Sequence, residues 1–229
     1  MKTSFRPDLE ADGPNTQTGR PLPARDRVLE VACELFAETG FHGTHLREIC
    51  KRAGTNVAGV CYHFDSKEGL HEVVSMEAGL RLSHQAEGFA ASQQSPPDQK
   101  LLQLVESLLK RLSAGRAWIS KLLARELVDP ASRTHNYACS GLERDFILLQ
   151  AAMRDLLGTK ANREAIRLQA LSVIGECVFY SLAAENPHHP LAQLAVSLPT
   201  RARLAGFLTQ RVLGSLRLEE PAELEVFNS

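Results

Sequence analysis

Apolar residues recur at helical spacing along most of this chain. After Arg25, the residues Val28, Ala32, Leu35 and Phe36 fall at i, i+4, i+7 and i+8, one face of a helix, and Glu30, Glu34 and Glu38 fall on another. Gly40 is expected to stop this helix, because glycine tolerates the positive φ that closes a helix end. Thr44 is placed to cap a short second helix whose apolar positions are Leu46, Ile49, Cys50 and Ala53. Gly54 breaks that helix, and Asn56 is a good N-cap for a third short helix, Val57 to Phe64. Asp65, with Glu68 three residues on, offers a capping box. It predicts a longer helix running to about Ala90.

Ser92 to Pro97 is a polar break, and only helices are predicted beyond it. The expected spans are Asp98–Ala114, Arg116–Val128, Ser132–Leu157, Ala161–Ala184 and Leu198–Leu213. Gly115, Asp129-Pro130, Gly158-Thr159 and the loop Asn186 to Pro190 separate them. There is no repeat and no alternating strand pattern. The chain therefore reads as all-α, with an N-terminal three-helix unit over 24–74 and a C-terminal helical bundle over 75–216. A polar tail, 1–23, precedes them and an acidic tail, 217–229, follows. The first tail is expected to be disordered. Its Arg6 and Arg20, with Arg25 beyond it, could reach a nucleic-acid groove, although Asp8, Glu10 and Asp12 offset that charge.

Composition narrows the function classes. Of 229 residues, 44% are hydrophobic and 23% charged, as in ordinary globular proteins. A formal net charge of −1 excludes a wholly basic nucleic-acid coat, so any DNA contact must come from a local patch. Cys33, Cys50, Cys61, Cys139 and Cys177 are widely spaced and form no CxxC, which predicts reduced thiols and a cytoplasmic setting. No targeting segment or membrane span is expected, since the richest apolar stretch, Leu171 to Ala184, is interrupted by Ser172, Gly175 and Glu176. His42 with His45, and His188 with His189, lack the further ligands a zinc site needs. No nucleophile–base pair, phosphate loop or acid pair occurs at useful spacing, so neither enzyme nor cofactor is expected.

The second and third short helices, joined by a tight glycine turn, have a helix-turn-helix layout. In that layout the second helix enters the major groove. Ala58 and Gly59 are small enough for close approach, and Tyr62, His63 and Lys67 can meet phosphates. From Phe41 to Lys67 the local charge is +2 within a chain that is slightly negative overall. A plainer reading stands beside this one. Val57, Val60, Cys61 and Phe64 form an i, i+3, i+4, i+7 stripe that would suit an ordinary bundle core.

The segment LEVACELFAETGFHGTHLREICKRAGTNVAGVCYHFDSKEGLHEVV resembles the N-terminal domain of TetR-family regulators. The resemblance covers about Arg25 to Val74 and rests on LFAETGF, LREI, RAG, YHF and SKEGL. It implies DNA binding, with Thr44, Tyr62, His63 and Lys67 on phosphates and Asn56, Val57 and Gly59 facing the groove. Arg47 and Lys51 add general phosphate affinity. Val57 is then exposed, against the stripe reading, whereas Val60 and Phe64 are core under both. Cys61 stands where the family usually has Tyr. The YHF context and Leu122 to Pro130, LLARELVDP, resemble a CecR-type subgroup.

The same resemblance implies that the C-terminal bundle binds a small effector and pairs with a second copy. Ala161–Ala184 and Leu198–Leu213 would pair, with Leu168, Leu171, Ile174, Val178 and Leu182 lining one helix. Candidate pocket residues are Trp118, Leu122, Arg125, Glu126, Phe146, Met153, Phe179 and Tyr180, all of which suit an ordinary core as well. Arg125 and Glu126 stand out because a bundle interior seldom holds charges unless they are paired. The function expected is an operator-binding repressor released by a small molecule. Control by a protein partner without an effector is the alternative. The expected partners are palindromic double-stranded DNA, a second copy of the chain and that effector, with no membrane.

Overall fold

The structure, a computed structural model, describes residues 22–84, 95–113, 117–128, 137–158, 162–185 and 200–218. The tail over 1–21, the end of the fourth predicted helix toward Ala90, the Asn186 to Pro190 loop and the acidic tail beyond 218 lie outside the described residues. All regular structure among them is helical, in the order α1 (Ala24–Gly43), α2 (Leu46–Ala53), α3 (Val57–Phe64), α4 (Lys67–His84), α5 (Pro97–Ser113), α6 (Ala117–Val128), α7 (Tyr137–Ser140), α8 (Glu143–Leu157), α9 (Arg163–Glu185) and α10 (Arg201–Leu218).

The apolar stripe of α1 is buried as its periodicity requires, with Val28, Ala32, Leu35 and Phe36 almost wholly covered. α1 kinks at Gly40, whose φ of 72° only glycine adopts cheaply. Thr44 then closes α1 rather than capping α2. Its backbone N–H donates to the Gly40 carbonyl at 3.2 Å, and its hydroxyl donates to the same carbonyl at 2.7 Å. Position 45, occupied by His45, is the N-cap of α2 and makes no side-chain capping bond.

One expected helix, Ser132–Leu157, is divided. α7 ends at Ser140 and α8 begins at Glu143, with Gly141 and Leu142 turning between them. A backbone contact with α4 accompanies the break. A Cβ on Gly141 would lie 2.6 Å from the Gly79 carbonyl oxygen, and one on Gly79 would lie 2.2 Å from the Tyr137 carbonyl oxygen. Glycine at both positions lets the two backbones touch.

α5 is the centre of the C-terminal bundle, packed against α8, α9 and α10. Leu101, Leu108, Leu109 and Leu112 are fully buried there. α9 is long and apolar enough to cross a membrane by length and composition, which the interrupted pattern did not suggest. Val173 and Cys177 on α9 are nevertheless completely buried among the other helices, as in a core helix of a bundle. One charged pair sits inside the bundle. Arg111 on α5 donates to the Asp145 carboxylate on α8, and also to the Leu82 carbonyl at 2.6 Å and the Ser107 carbonyl at 3.3 Å. The core is one continuous cluster from Val28 on α1 to Leu216 on α10. α4 and α6 join its two ends, since both pack against α1 as well as against bundle helices.

Candidate nucleic-acid interface

The turn between α2 and α3 is built locally. Gly54 is left-handed at φ 65°, ψ 45°, which ends α2, and the Thr55 N–H donates back to the Cys50 carbonyl at 3.0 Å. Asn56 caps α3 as its position suggested, accepting from the Gly59 N–H at 2.8 Å. Arg27 on α1 adds a tie that sequence reasoning missed. Its Nε donates to the Ala53 carbonyl at 3.0 Å and its Nη1 to the Leu22 carbonyl at 2.6 Å. A cation at a helix C-terminus meets carbonyls with no intrahelical partner. No periodicity in sequence could link residue 27 to residue 53.

α3 has two faces. Val60 and Phe64 are buried against α1 and α4, whereas Val57 is 42% and Tyr62 84% exposed. His63 is exposed beside Tyr62, their rings edge-to-face at 5.1 Å. The stripe reading that buried Val57 therefore fails. Val60 and Phe64 saturate the contact that so short a helix makes, and Val57 lies beyond it. Cys61 is half-exposed. On α2, Arg47 and Lys51 are exposed one turn apart, and Arg52 is paired with Glu48 at 2.8 Å.

Two expectations, the Thr44 phosphate contact and the Asp65 cap, are corrected. The Thr44 hydroxyl is buried within the end of α1, 2.8 Å from the Thr39 hydroxyl as well as bonded to Gly40, so it shapes the unit and offers nothing to a phosphate. Asp65 does not open α4. It has a φ of 63° in a tight turn where the Ser66 N–H reaches the Phe64 carbonyl at 2.7 Å. Ser66 is the cap, its hydroxyl accepting from the Gly69 N–H at 3.1 Å. A hydrogen bond from its own backbone N–H, and after it one from Ser66, hold the Glu68 carboxyl below its ordinary pKa. Lys67 stands at the first turn of α4 with its ammonium 4.4 Å from the Phe41 ring centroid. Partial burial there lowers its pKa.

The expected pocket residues divide between core and surface. Leu122 and Met153 are core, and Trp118, Phe146 and Tyr180 are half-buried against it. Phe179 is 46% exposed on α9 and lines no interior. Arg125 is exposed and reaches α1, where its Nε donates to the Ala37 carbonyl at 2.8 Å and its Nη2 to the Glu38 carbonyl. Glu126 is buried, accepting from the Ser75 hydroxyl on α4 at 2.6 Å and from the Cys139 N–H on α7 at 3.4 Å. Burial raises its pKa, and those two hydrogen bonds offset the rise only in part. The two charges are indeed paired, but with backbone and side chains of neighbouring helices. They cap and join helices, and neither points to an effector. Among the described residues no group of three His, Cys, Asp or Glu side chains is placed to hold a metal.

The sequence pattern described as "Bacterial regulatory proteins, tetR family" matches residues 28–74, the segment that forms α1 to α3 and the start of α4. That of the "HTH-type transcriptional dual regulator CecR, C-terminal domain" matches residues 97–217, more than half of the chain. The chain belongs to the TetR family. Within it, this TetR-family chain carries the CecR-type C-terminal domain. It is 36% identical over 63 residues to the HTH-type transcriptional regulator UidR of Escherichia coli, a match covering 28% of this chain and 32% of UidR. It is 27% identical over 177 residues to the dual regulator CecR of Shigella flexneri, covering 71% of this chain and 78% of CecR. The chain thus spans about a third of UidR but most of CecR. Among solved structures, FadR from Bacillus subtilis in complex with stearoyl-CoA shares the fold at a TM-score of 0.59 and 16% identity, covering 82% of this chain and 96% of that one. Both matching patterns describe bacterial regulatory proteins, and the all-α architecture agrees with them.

Proposed function

We propose that this TetR-family chain is a dimeric, cytoplasmic repressor that reads a palindromic operator with α3 and releases it when a small molecule enters the C-terminal bundle. The observation that carries the DNA-reading part is the two-faced α3. Its core face is fixed by Val60 and Phe64, which leaves Val57, Gly59, Tyr62 and His63 outward beside Asn56. Val57 suits a thymine methyl, and Gly59 allows close approach. Arg47, Lys51, Tyr62, His63 and Lys67 are the phosphate contacts of this reading.

Pairing is supported by uncovered apolar residues on α9 and α10. Leu168, Leu171, Phe179 and Phe207 are each roughly half exposed. Gly175, Gly206 and Gly214 have open space where a Cβ would stand, which allows a second helix pair to approach closely. A two-fold dimer places two recognition helices on two half-sites. Effector control is supported by the CecR-type domain and by the ligand-bound FadR of similar fold.

Fluorescence anisotropy against DNA flanking the gene tests the reading. Binding should weaken steeply with salt. Arg47→Ala and Lys51→Ala should weaken all sequences alike and reduce the salt slope by about 1 each. Val57→Ala should change base preference and leave the slope unaltered. Salt-insensitive binding, or none to any flanking fragment, refutes it.

A further inference from the structure

Four of the eight histidines, His42, His45, His63 and His71, fall in the DNA-reading unit. Two of these are exposed on the helix-turn-helix itself. His45 stands at the N-cap of α2, two residues before the exposed Arg47, and makes no side-chain capping bond. His63 is on the outward face of α3, its ring 5.1 Å from that of Tyr62. Among the described residues neither imidazole is paired with a carboxylate. Glu48, three residues beyond His45 on α2, is taken by Arg52 at 2.8 Å. The charged groups around the end of α3 are Arg25 of α1, 5.5 Å from the Phe64 ring, Asp65 in the turn, and Lys67 and Glu68 of α4. The other two histidines are placed differently. His42 shares the Phe41 ring with the Lys67 ammonium, at 5.3 and 4.4 Å. His71 is 4% exposed between Phe36 and Phe41, at 4.8 and 5.2 Å. Burial or a neighbouring cation disfavours a charged imidazole in such places.

We infer that His45 is a further phosphate contact and that, together with His63, it couples operator binding to proton uptake. The inference rests on the DNA-reading assignment of α3 above. In a helix-turn-helix the second helix enters the groove and the first crosses the sugar-phosphate backbone. An exposed side chain at the start of α2 then lies against phosphates, beside Arg47. An imidazole changes charge between about pH 5 and 8, and a phosphate next to it favours the charged form. The complex therefore holds protons more tightly than the free protein does. By linkage, affinity is highest in acid and declines as pH rises through that window. The segment Phe41 to Lys67 carries +2 with its histidines neutral, so charging His45 and His63 doubles it. Proton uptake thus acts on the charge that draws the unit to DNA.

Fluorescence anisotropy of the full-length protein on a flanking DNA fragment that it binds, at about pH 6 and about pH 8 over a range of salt, tests the coupling. Affinity should be about tenfold or more higher in the acid buffer. The slope of log affinity against log salt should be steeper there by about 1 to 2, one for each added charge contact. His45→Gln and His63→Gln should each weaken binding more in acid and remove part of the added slope. The double variant should show the same slope in both buffers. His45→Arg, whose charge does not titrate, should keep the steeper slope in the alkaline buffer. A loss in His45→Gln that is equal in both buffers marks a structural role and overturns the contact. A pH dependence that survives in the double variant overturns the assignment to these residues. Salt-sensitive binding by the wild type with no pH dependence overturns proton coupling alone and leaves the reading of α3 standing, whereas salt-insensitive binding at both pH values removes both.

Discussion

Removing the guanidinium of Arg125 should loosen the DNA-reading unit without touching DNA. This side chain leaves α6 and takes two carbonyls, Ala37 and Glu38, in the last turns of α1. Hydrogen bonds from a charged donor are worth about 1.5–3 kcal/mol when shielded. Arg125 is exposed, so each bond is discounted to about 1 kcal/mol or less. A cation at a helix C-terminus adds about 0.3–1 kcal/mol, giving about 2 kcal/mol in all. Arg125→Ala should therefore lower the unfolding free energy in urea by about 2 kcal/mol. If all of that holds α1 in its DNA-competent pose, operator affinity falls by about thirtyfold. Anisotropy titrations over a range of salt separate this from a phosphate contact, because the slope of log affinity against log salt should not change. Arg125→Lys offers a single ammonium that cannot span both carbonyls in a planar fork, so it should recover less than half of the loss. A slope reduced by about 1, or wild-type affinity in Arg125→Ala, would refute the clamp.

Gly141→Ala forces a Cβ to 2.6 Å from the Gly79 carbonyl oxygen and 2.8 Å from the Gly79 Cα, both backbone atoms. α4 and α7 must separate, so a loss of about 2 kcal/mol is expected in thermal or urea unfolding. Glu126 gives a pH dependence. Burial raises its pKa above the ordinary 4.5, so the folded state favours the protonated form. Its contribution is complete below the unfolded pKa and is lost as pH rises through the folded one. The stability difference between wild type and Glu126→Gln should therefore shift in favour of the variant from about pH 4 upward in urea titrations. Thiol labelling should follow burial and acidity together. Cys33 and Cys177 are buried and their pKa values are pushed up to about 12, and that of Cys139 to about 11. Ellman's reagent on the native protein should modify the half-exposed Cys61 first, and mass spectrometry after brief exposure checks the order.

The sequence was most readable where structure is set by neighbours along the chain. The stripe of α1, the Gly54 turn and the Asn56 cap depend on residues a few positions apart, and each stands where the pattern placed it. It was less readable where two adjacent residues could perform the same task. Asp65 and Ser66 are both good caps, and the tight turn at Phe64 decides for Ser66. Thr44 is similar, since a hydroxyl at a helix junction serves the helix behind it as readily as the one ahead. Least readable were the ties across the fold. Arg125 finds its partners 88 and 87 positions away and Glu126 finds Ser75 51 positions away. Of the two charges expected inside the bundle, Arg125 is exposed, and Glu126 is buried on hydroxyl and amide donors. The identity of the partner follows only from how α6 packs on α1 and α4. The break between α7 and α8 was marked by Gly141, but a lone glycine in a helical pattern is ambiguous until the backbone of Gly79 is seen against it.

The division of α3 into two faces bears on how such a regulator diversifies. Val60 and Phe64 carry the folding requirement of the helix. Val57, Tyr62 and His63 carry little of it, since they are exposed and stand outside the core cluster. Surface substitutions of this kind usually change stability by less than about 0.5 kcal/mol. A lineage can therefore exchange the outward residues one at a time and pass through folded proteins at every step. On the proposed reading of α3, operator choice and foldability would be inherited as nearly separate traits within eight consecutive residues.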